Sequence, residues 1–326
     1  MIHPSEIFSI SSQKDFHKIA LKIFRFQFEN NLVYQDFCQR LHKSPTNVKK
    51  ITDIPFLPIE FFKTHDVVCN HSQNATVFSS SGTTGSITSR HLVSDVLVYE
   101  ESYLRGFAYF YGDIKNYVLL ALLPSYLERS GSSLVYMIED LIQKTEHPDS
   151  GFYLYNHQEL IQKLQDLENA SENVLLMGVS YALLDLMESL NFPLKNTIVM
   201  ETGGMKGKRK EMIKEELHNV LTEGLGVSKI HSEYGMTELL SQAYSFGNGL
   251  FECPPWMQIH IRDTEDALSW LENGKTGGIN VIDLANINSC SFIATQDLGK
   301  KYDNQSFEVL GRFDNSDIRG CNLMVL

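Results

Sequence analysis

The stretch Val77-Phe78-Ser79-Ser80-Ser81-Gly82-Thr83-Thr84-Gly85-Ser86 decides how this chain is read. Two strand-forming residues run into a loop made only of small and hydroxyl-bearing side chains. Such residues let the backbone turn tightly and approach an anion, and their N–H and O–H groups donate to phosphate oxygens. The Gly-Lys-Ser/Thr ending of a Walker loop is missing. Composition alone fits a flexible surface loop equally well, so the residues around it carry the decision. Downstream, apolar runs at 117–123, 173–177 and 197–200 read as buried strands. Segments 134–144, 158–168, 180–190 and 208–221 have helical periodicity. Alternation of this kind predicts an α/β fold whose sheet is covered by helices.

Upstream of the loop, Phe16, Ile19, Ala20, Ile23 and Phe24 recur at helical spacing, and residues 1–50 read as a helical region. Ile54-Pro55-Phe56-Leu57-Pro58, continuing to Phe61-Phe62, reads as an extended connector because its prolines disfavour a helix. Past residue 280 strands and turns dominate, with Gly277-Gly278 opening an apolar run. The chain has 326 residues, 43% of them hydrophobic and 21% charged, which suits a packed core and excludes a disordered class. A net charge of −12 argues against general nucleic-acid or anionic-membrane binding. No stretch is long and apolar enough to insert in a membrane, and the N-terminus lacks the pattern of a secretory signal. Five scattered cysteines with no CxxC pair point to a reducing compartment, the cytoplasm, and not to a structural zinc.

A second string, Glu233-Tyr234-Gly235-Met236-Thr237-Glu238, adds a flat aromatic face, a turn, a hydroxyl and a carboxylate. A carboxylate beside a polyphosphate is a common way to hold Mg²⁺. Alone, the string also reads as a strand end followed by a helix N-cap. Paired with the loop it resembles the phosphate loop and Tyr-Gly-x-Thr-Glu motif of adenylate-forming enzymes, the acyl-CoA and aryl-CoA ligase superfamily. Glu201-Thr202-Gly203-Gly204-Met205 resembles that family's adenine-pocket turn, Thr295-Gln296-Asp297 its ribose-binding Thr-x-Asp, and Gly311-Arg312-Phe313-Asp314 its hinge. The connector at 54–63 and the ending Asp317-Ile318-Arg319-Gly320-Cys321-Asn322 are most similar to the acyl-protein synthetases of bacterial luminescence operons, with phenylacetate-CoA ligases next.

The resemblance implies an adenylate-forming large domain over 1–310 with a small β-rich C-terminal part, and a hinge-like stub at 311–326. It also implies that the mobile C-terminal domain of full-length ligases is absent. ATP and Mg²⁺ are the implied cofactors. Ser81, Gly82, Thr83, Thr84 and Gly85 are expected at the phosphates, and Glu238 at the metal. Gly203, Gly204, Met205, Tyr234, Gly235 and Thr237 are expected around adenine and the motif turn, with Asp297 and Arg312 at the ribose. The implied reaction is ATP-dependent activation of a carboxylic acid, a fatty acid by the subfamily resemblance, followed by acyl transfer to a thiol. That thiol is Cys321 itself or belongs to a partner, an acyl-CoA reductase or an acyl carrier protein. Arg319 two positions away would favour the Cys321 thiolate, although a lone cysteine also reads as simple packing. Two other readings stay open: an acyltransferase that takes its acyl group from a thioester without ATP, and a nucleotide-binding subunit without turnover.

Several further residues have two readings. The run Lys206-Gly207-Lys208-Arg209-Lys210 reads as a charged helix start or as phosphate contacts, and His231 as a structural or a pocket histidine. Arg129 follows a strand end, where site residues of α/β sheets gather. Trp256-Met257 reads as acyl-pocket lining or as core, and the other four cysteines as packing.

Overall fold

The computed structural model describes residues 2–69, 75–80, 88–124, 131–204, 208–210 and 212–312. The chain divides into two compact units, one formed by 1–70 with 255–326 and the other by 71–254. The first unit opens with helices α1 (Pro4–Phe8), α2 (Gln13–Asn30) and α3 (Leu32–Arg40), then strand β1 (Leu57–Pro58) and the short α4 (Phe61–Thr64). In the second unit come β2 (Thr76–Ser79), β3 (Arg90–Val93), α5 (Val96–Tyr111), β4 (Val118–Leu122), α6 (Ser133–Thr145), β5 (Gly151–Tyr153) and α7 (His157–Ala170). It continues with β6 (Val174–Val179), α8 (Ser180–Met187), β7 (Thr197–Thr202), α9 (Lys214–Leu225), β8 (His231–Tyr234), β9 (Ala243–Ser245) and β10 (Leu250–Glu252). The chain then returns to the first unit with β11 (Met257–Arg262), β12 (Thr276–Asp283), β13 (Phe292–Lys301) and β14 (Phe307–Arg312).

In the second unit the strands run in the order β5-β4-β6-β7-β8-β9-β10. The first five are parallel, and β8, β9 and β10 are antiparallel. Every residue of β4 and β6 is buried, as strands covered on both faces require. In the first unit β11-β12-β13-β14 form an antiparallel run, with β1 parallel to β13. The buried face of α2 (Phe16, Ile19, Ala20, Ile23, Phe24) packs into this unit's core. There Gln27 fixes the approach, donating to the Asn286 and Ile287 carbonyls and accepting from the Ser291 N–H, each at 3.0 Å. Trp256, a pocket candidate by sequence, packs edge-on against Phe8 at 5.0 Å and is core.

One helix is missing from the sequence reading and another departs from it. Helix α5 is rich in aromatic and β-branched residues, which are poor helix formers. Its Tyr99, Tyr103 and Phe107, spaced by four, are fully buried, so tertiary packing overrides propensity. The expected helix at 208–221 instead spans Lys214–Leu225. Residues 208–210 precede it, and Arg209 donates to the carboxylates of Asp185 and Glu188. Residues 208–210 of the basic run are therefore not a helix start, and the ion pairs of Arg209 hold them in a bend before the first turn. Among the described residues no helix is long and apolar enough to cross a membrane.

Candidate functional site

In the second unit, β2 and β3 form an antiparallel hairpin that flanks residues 81–87. Its stem is clamped at the mouth of the loop: Ser80 N–H donates to the Ser89 carbonyl at 3.1 Å, and Ser89 N–H donates to Ser80 Oγ at 2.9 Å. One turn of strand further, buried His91 donates from Nδ1 to the carbonyl of Thr237 at 2.8 Å. A carbonyl only accepts, so this bond fixes the proton on Nδ1. Residues 146 apart in sequence are thus joined, and the stem of the serine–glycine–threonine loop lies against the Tyr-Gly-Met-Thr-Glu turn.

That turn follows β8 at its C-terminal end, beside the C-terminal end of its parallel neighbour β7. Open α/β sheets bind ligands at this edge. Here β7 leads into Gly203, whose φ of +68° is left-handed backbone, and then Gly204, where an added Cβ would meet nothing within 4 Å. Ser180 Oγ donates to the Gly203 carbonyl at 3.2 Å and pins the turn. Tyr234 closes β8 with its ring edge-on to Phe251 at 5.9 Å. Thr237 and Glu238 form a turn with no helix after it, which removes the N-cap reading, and the Glu238 side chain is buried.

Beneath these turns lie two carboxylates that the sequence motifs quote without assigning. The register pairs Glu201 with Ser232 and Thr202 with Glu233, so the two acids point to opposite faces of the sheet. Glu201 is 2% exposed and pairs with Lys214 and, at 3.5 Å, with His218, residues one turn apart on α9. Burial pushes the Glu201 carboxyl up, but the Lys214 charge and the donors His218, Lys214 and Ser232 outweigh it and hold it down at about 2. For Glu233, desolvation outweighs the Lys214 charge. Burial lifts it to about 7 against the 2.6 Å hydrogen bond from Thr202 Oγ1, with the Glu201 charge adding to the rise. His231 hydrogen-bonds the Tyr111 hydroxyl at 3.0 Å, and burial lowers it to about 4, which makes it a neutral structural histidine.

In the first unit, Asp297 of β13 lies opposite Arg312 of β14, and Arg312 Nε donates to Asp297 Oδ1 at 3.1 Å. The acid is buried, whereas the Arg312 side chain is 75% exposed. Asp297 N–H donates to Thr295 Oγ1 at 3.1 Å, which links the two outer members of the Thr-x-Asp string. Cys38 and Cys69 are buried thiols pushed up to about 12 by desolvation, and burial also raises Cys290 well above the ordinary thiol value. All three suit packing and none suits a nucleophile. Ser81, Gly82, Thr83, Thr84, Gly85, Met205, Arg129 and Cys321 lie outside the described residues.

Lys214 and His218, which hold Glu201, and the Thr202–Glu233 hydrogen bond beneath the motif turns are features that sequence reasoning missed. The available signal was the i, i+4 spacing of Lys214 and His218 on a helix that follows the Gly-rich turn.

A region of 69 residues is 36% identical to the long-chain-fatty-acid–luciferin-component ligase of Photorhabdus luminescens, covering 21% of this chain and 59% of that protein. The structure of ATP-bound MatB from Rhodopseudomonas palustris superposes with a TM-score of 0.55 at 19% identity, over 72% of this chain and 47% of MatB. An open conformation of 2-hydroxyisobutyryl-CoA ligase, in complex with 2-HIB-AMP and CoA, gives 0.68 at 13% identity, over 93% of this chain and 70% of that one. The chain thus spans less than two thirds of the luciferin-component ligase and of MatB. The fold is that of the adenylate-forming enzymes, as the motif order implies. The family model for acyl-protein synthetase, LuxE, matches residues 2–118 and 133–326. By that match the chain belongs to the LuxE acyl-protein synthetase family.

Proposed function

We propose that this chain activates a carboxylic acid with ATP and passes the acyl group to a thiol. A carboxylate oxygen attacks the α-phosphorus, the bond to the bridging oxygen of pyrophosphate breaks, and an acyl adenylate forms. A thiolate then attacks the acyl carbon and AMP leaves. The observation that carries this reading is the His91–Thr237 hydrogen bond. It seats the stem of the hydroxyl-rich loop on the turn that bears Glu238, which supports assigning phosphate donors and an acid to one site. Negative charge develops on the phosphate oxygens during the attack, and N–H and O–H donors of Ser81, Gly82, Thr83, Thr84 and Gly85 would stabilise it.

We assign adenine to the turns at Gly203, Gly204, Met205, Tyr234 and Gly235, and the ribose hydroxyls to Asp297 with Arg312. Mg²⁺ bound with the nucleotide would neutralise polyphosphate charge, and Glu238 is the carboxylate we assign to it. Among the described residues no group of three or more His, Cys, Asp or Glu side chains is placed to hold a metal. A single carboxylate suits an ion held chiefly by phosphate oxygens. We take the acid to be fatty, the acceptor to be Cys321 or the thiol of an acyl-CoA reductase or acyl carrier protein, and the compartment to be the cytoplasm.

Acid-dependent ATP–pyrophosphate exchange tests the first step. Thr84→Ala and Glu238→Ala should each lower it at least about a hundredfold, the loss expected of a transition-state donor or metal ligand. Wild-type exchange in both variants would sink the assignment. Intact mass after incubation with Mg-ATP and a panel of carboxylic acids tests the second step. A hydroxylamine-sensitive adduct absent from Cys321→Ala identifies self-acylation, and its absence assigns the acceptor to a partner.

A further inference from the structure

Arg262, the last residue of β11, belongs to none of the motifs, yet its side chain is buried. Its guanidinium reaches over the neighbouring strands. Nη1 donates to the Ile279 carbonyl at 2.7 Å and to Asn280 Oδ1 at 2.9 Å, and Nη2 donates to the Thr295 carbonyl at 2.5 Å. Position 278 leaves room for it only as glycine, because a Cβ there would lie 2.5 Å from Arg262 Cζ.

At this point the β12–β13 ladder shifts register: Gly278 pairs with Leu298 and Asn280 with Ala294, so Ile279 alone faces Thr295, Gln296 and Asp297, and the bulge lies in β13. The Ile279 carbonyl accepts both from Arg262 and from Thr295 Oγ1 at 2.9 Å. Thr295 Oγ1 in turn accepts from Asp297 N–H. One connected set of contacts therefore runs from the buried guanidinium, through the bulge, to the backbone of Asp297. Desolvating a guanidinium is unfavourable, and an apolar side chain would fill the same gap more cheaply. What the planar fork adds is a fixed angular tie between β12 and β13, which no aliphatic side chain supplies.

We propose that Arg262 is a positioning residue for the nucleotide sugar. It fixes Ile279 and, through it, the bulged Thr295–Asp297 segment in the arrangement that lets the Asp297 carboxylate accept from the ribose hydroxyls. This rests on the assignment of Asp297 to the ribose.

The test is calorimetric titration of the full chain with ATP and with 2′,3′-dideoxy-ATP, read as the ratio of the two Kd values. Wild type should prefer ATP by about tenfold or more, the worth of hydrogen bonds to a charged acceptor. Arg262→Met should weaken ATP about tenfold while leaving dideoxy-ATP within twofold, so that the preference collapses. Arg262→Lys, which keeps the charge and loses the fork, should fall between them. A generally loosened fold would weaken both nucleotides alike and keep the ratio.

An Arg262→Met protein that retains the wild-type ratio, or weakens both nucleotides alike, overturns the proposal. Should Arg262→Met not fold, Gly278→Ala crowds the flexible end of the same side chain and carries the test. Loss of the preference supports the proposal, and a wild-type ratio overturns it. Asp297→Asn separates the parent assignment. If wild type shows no preference, or Asp297→Asn keeps it, the ribose role of Asp297 is wrong and the Arg262 proposal falls with it. If Asp297→Asn loses the preference and the Arg262 variants keep it, only the Arg262 link fails.

Discussion

Each unit buries charge near its motif residues, and the two do so by different means. At the ends of β7 and β8, Glu201 is stabilised by side chains: Lys214, His218 and Ser232. Opposite the β13 bulge, Arg262 engages main-chain carbonyls of Ile279 and Thr295 alongside the Asn280 amide oxygen. A side-chain partner is deleted by one substitution, whereas a carbonyl stays whatever residue carries it. The first centre should therefore be sensitive to loss of partners and the second to loss of space.

Lys214→Met gives the largest expected effect, because it strands the Glu201 carboxylate in a buried site. Denaturant unfolding should show a loss of about 3–5 kcal/mol, most of it recovered in Lys214→Met/Glu201→Gln. A small loss, or no recovery, would break the comparison on this side.

The two glutamates sharpen it through pH. Glu201 is depressed from 4.5 to about 2, so its contribution is present above pH 4.5 and is lost as pH falls towards 2. Glu233 is raised from 4.5 to about 7, so folding favours its protonated form. Its contribution is present below pH 4.5 and is lost as pH rises through 7. Across that window the effect should be on the order of 1–3 kcal/mol. Melting curves of Glu233→Gln should flatten the decline between pH 4.5 and 8, and an unchanged slope would assign it to other groups.

On the other side of the comparison, Gly278→Ala should cost about 1–3 kcal/mol by overpacking against Arg262, measured by the same unfolding curves. The smallest effect belongs to Arg312→Gln. Its salt bridge to Asp297 stands on a side chain 75% exposed, so stability should move by about 0–1 kcal/mol. A large loss there would show that exposure does not separate the two arginines bound to this segment.

The parts of the fold legible in sequence were those with uniform periodicity. The β4 and β6 strands are continuous apolar runs, and α6 and α7 present apolar residues at helical spacing. Helix α5 escaped because its residues favour strands when taken one at a time, and only packing on Tyr99 and Tyr103 makes it a helix. Glycine and hydroxyl strings marked the motif turns because each performs a local task that a string can display. Lys214 and Arg262 were invisible for the opposite reason. Their partners lie on other strands, and neither a register nor a bulge is written in any local string, although Gly277-Gly278 marked the place where one strand closes on another.

Gly235 has a consequence for how this motif can vary. Its backbone is not left-handed, so conformational freedom is not what requires glycine there. An added Cβ would lie 2.4 Å from Oε1 of Glu233, the oxygen partner of the one that Thr202 holds. The side chain at 233 thus occupies the volume that a residue at 235 would need, and the two positions act as a single unit of substitution. In a library randomised at both, alanine at 235 should survive only alongside a shortened residue at 233. The familiar tyrosine–glycine pair would then read, in this chain, as the outer half of a longer word that begins one residue earlier.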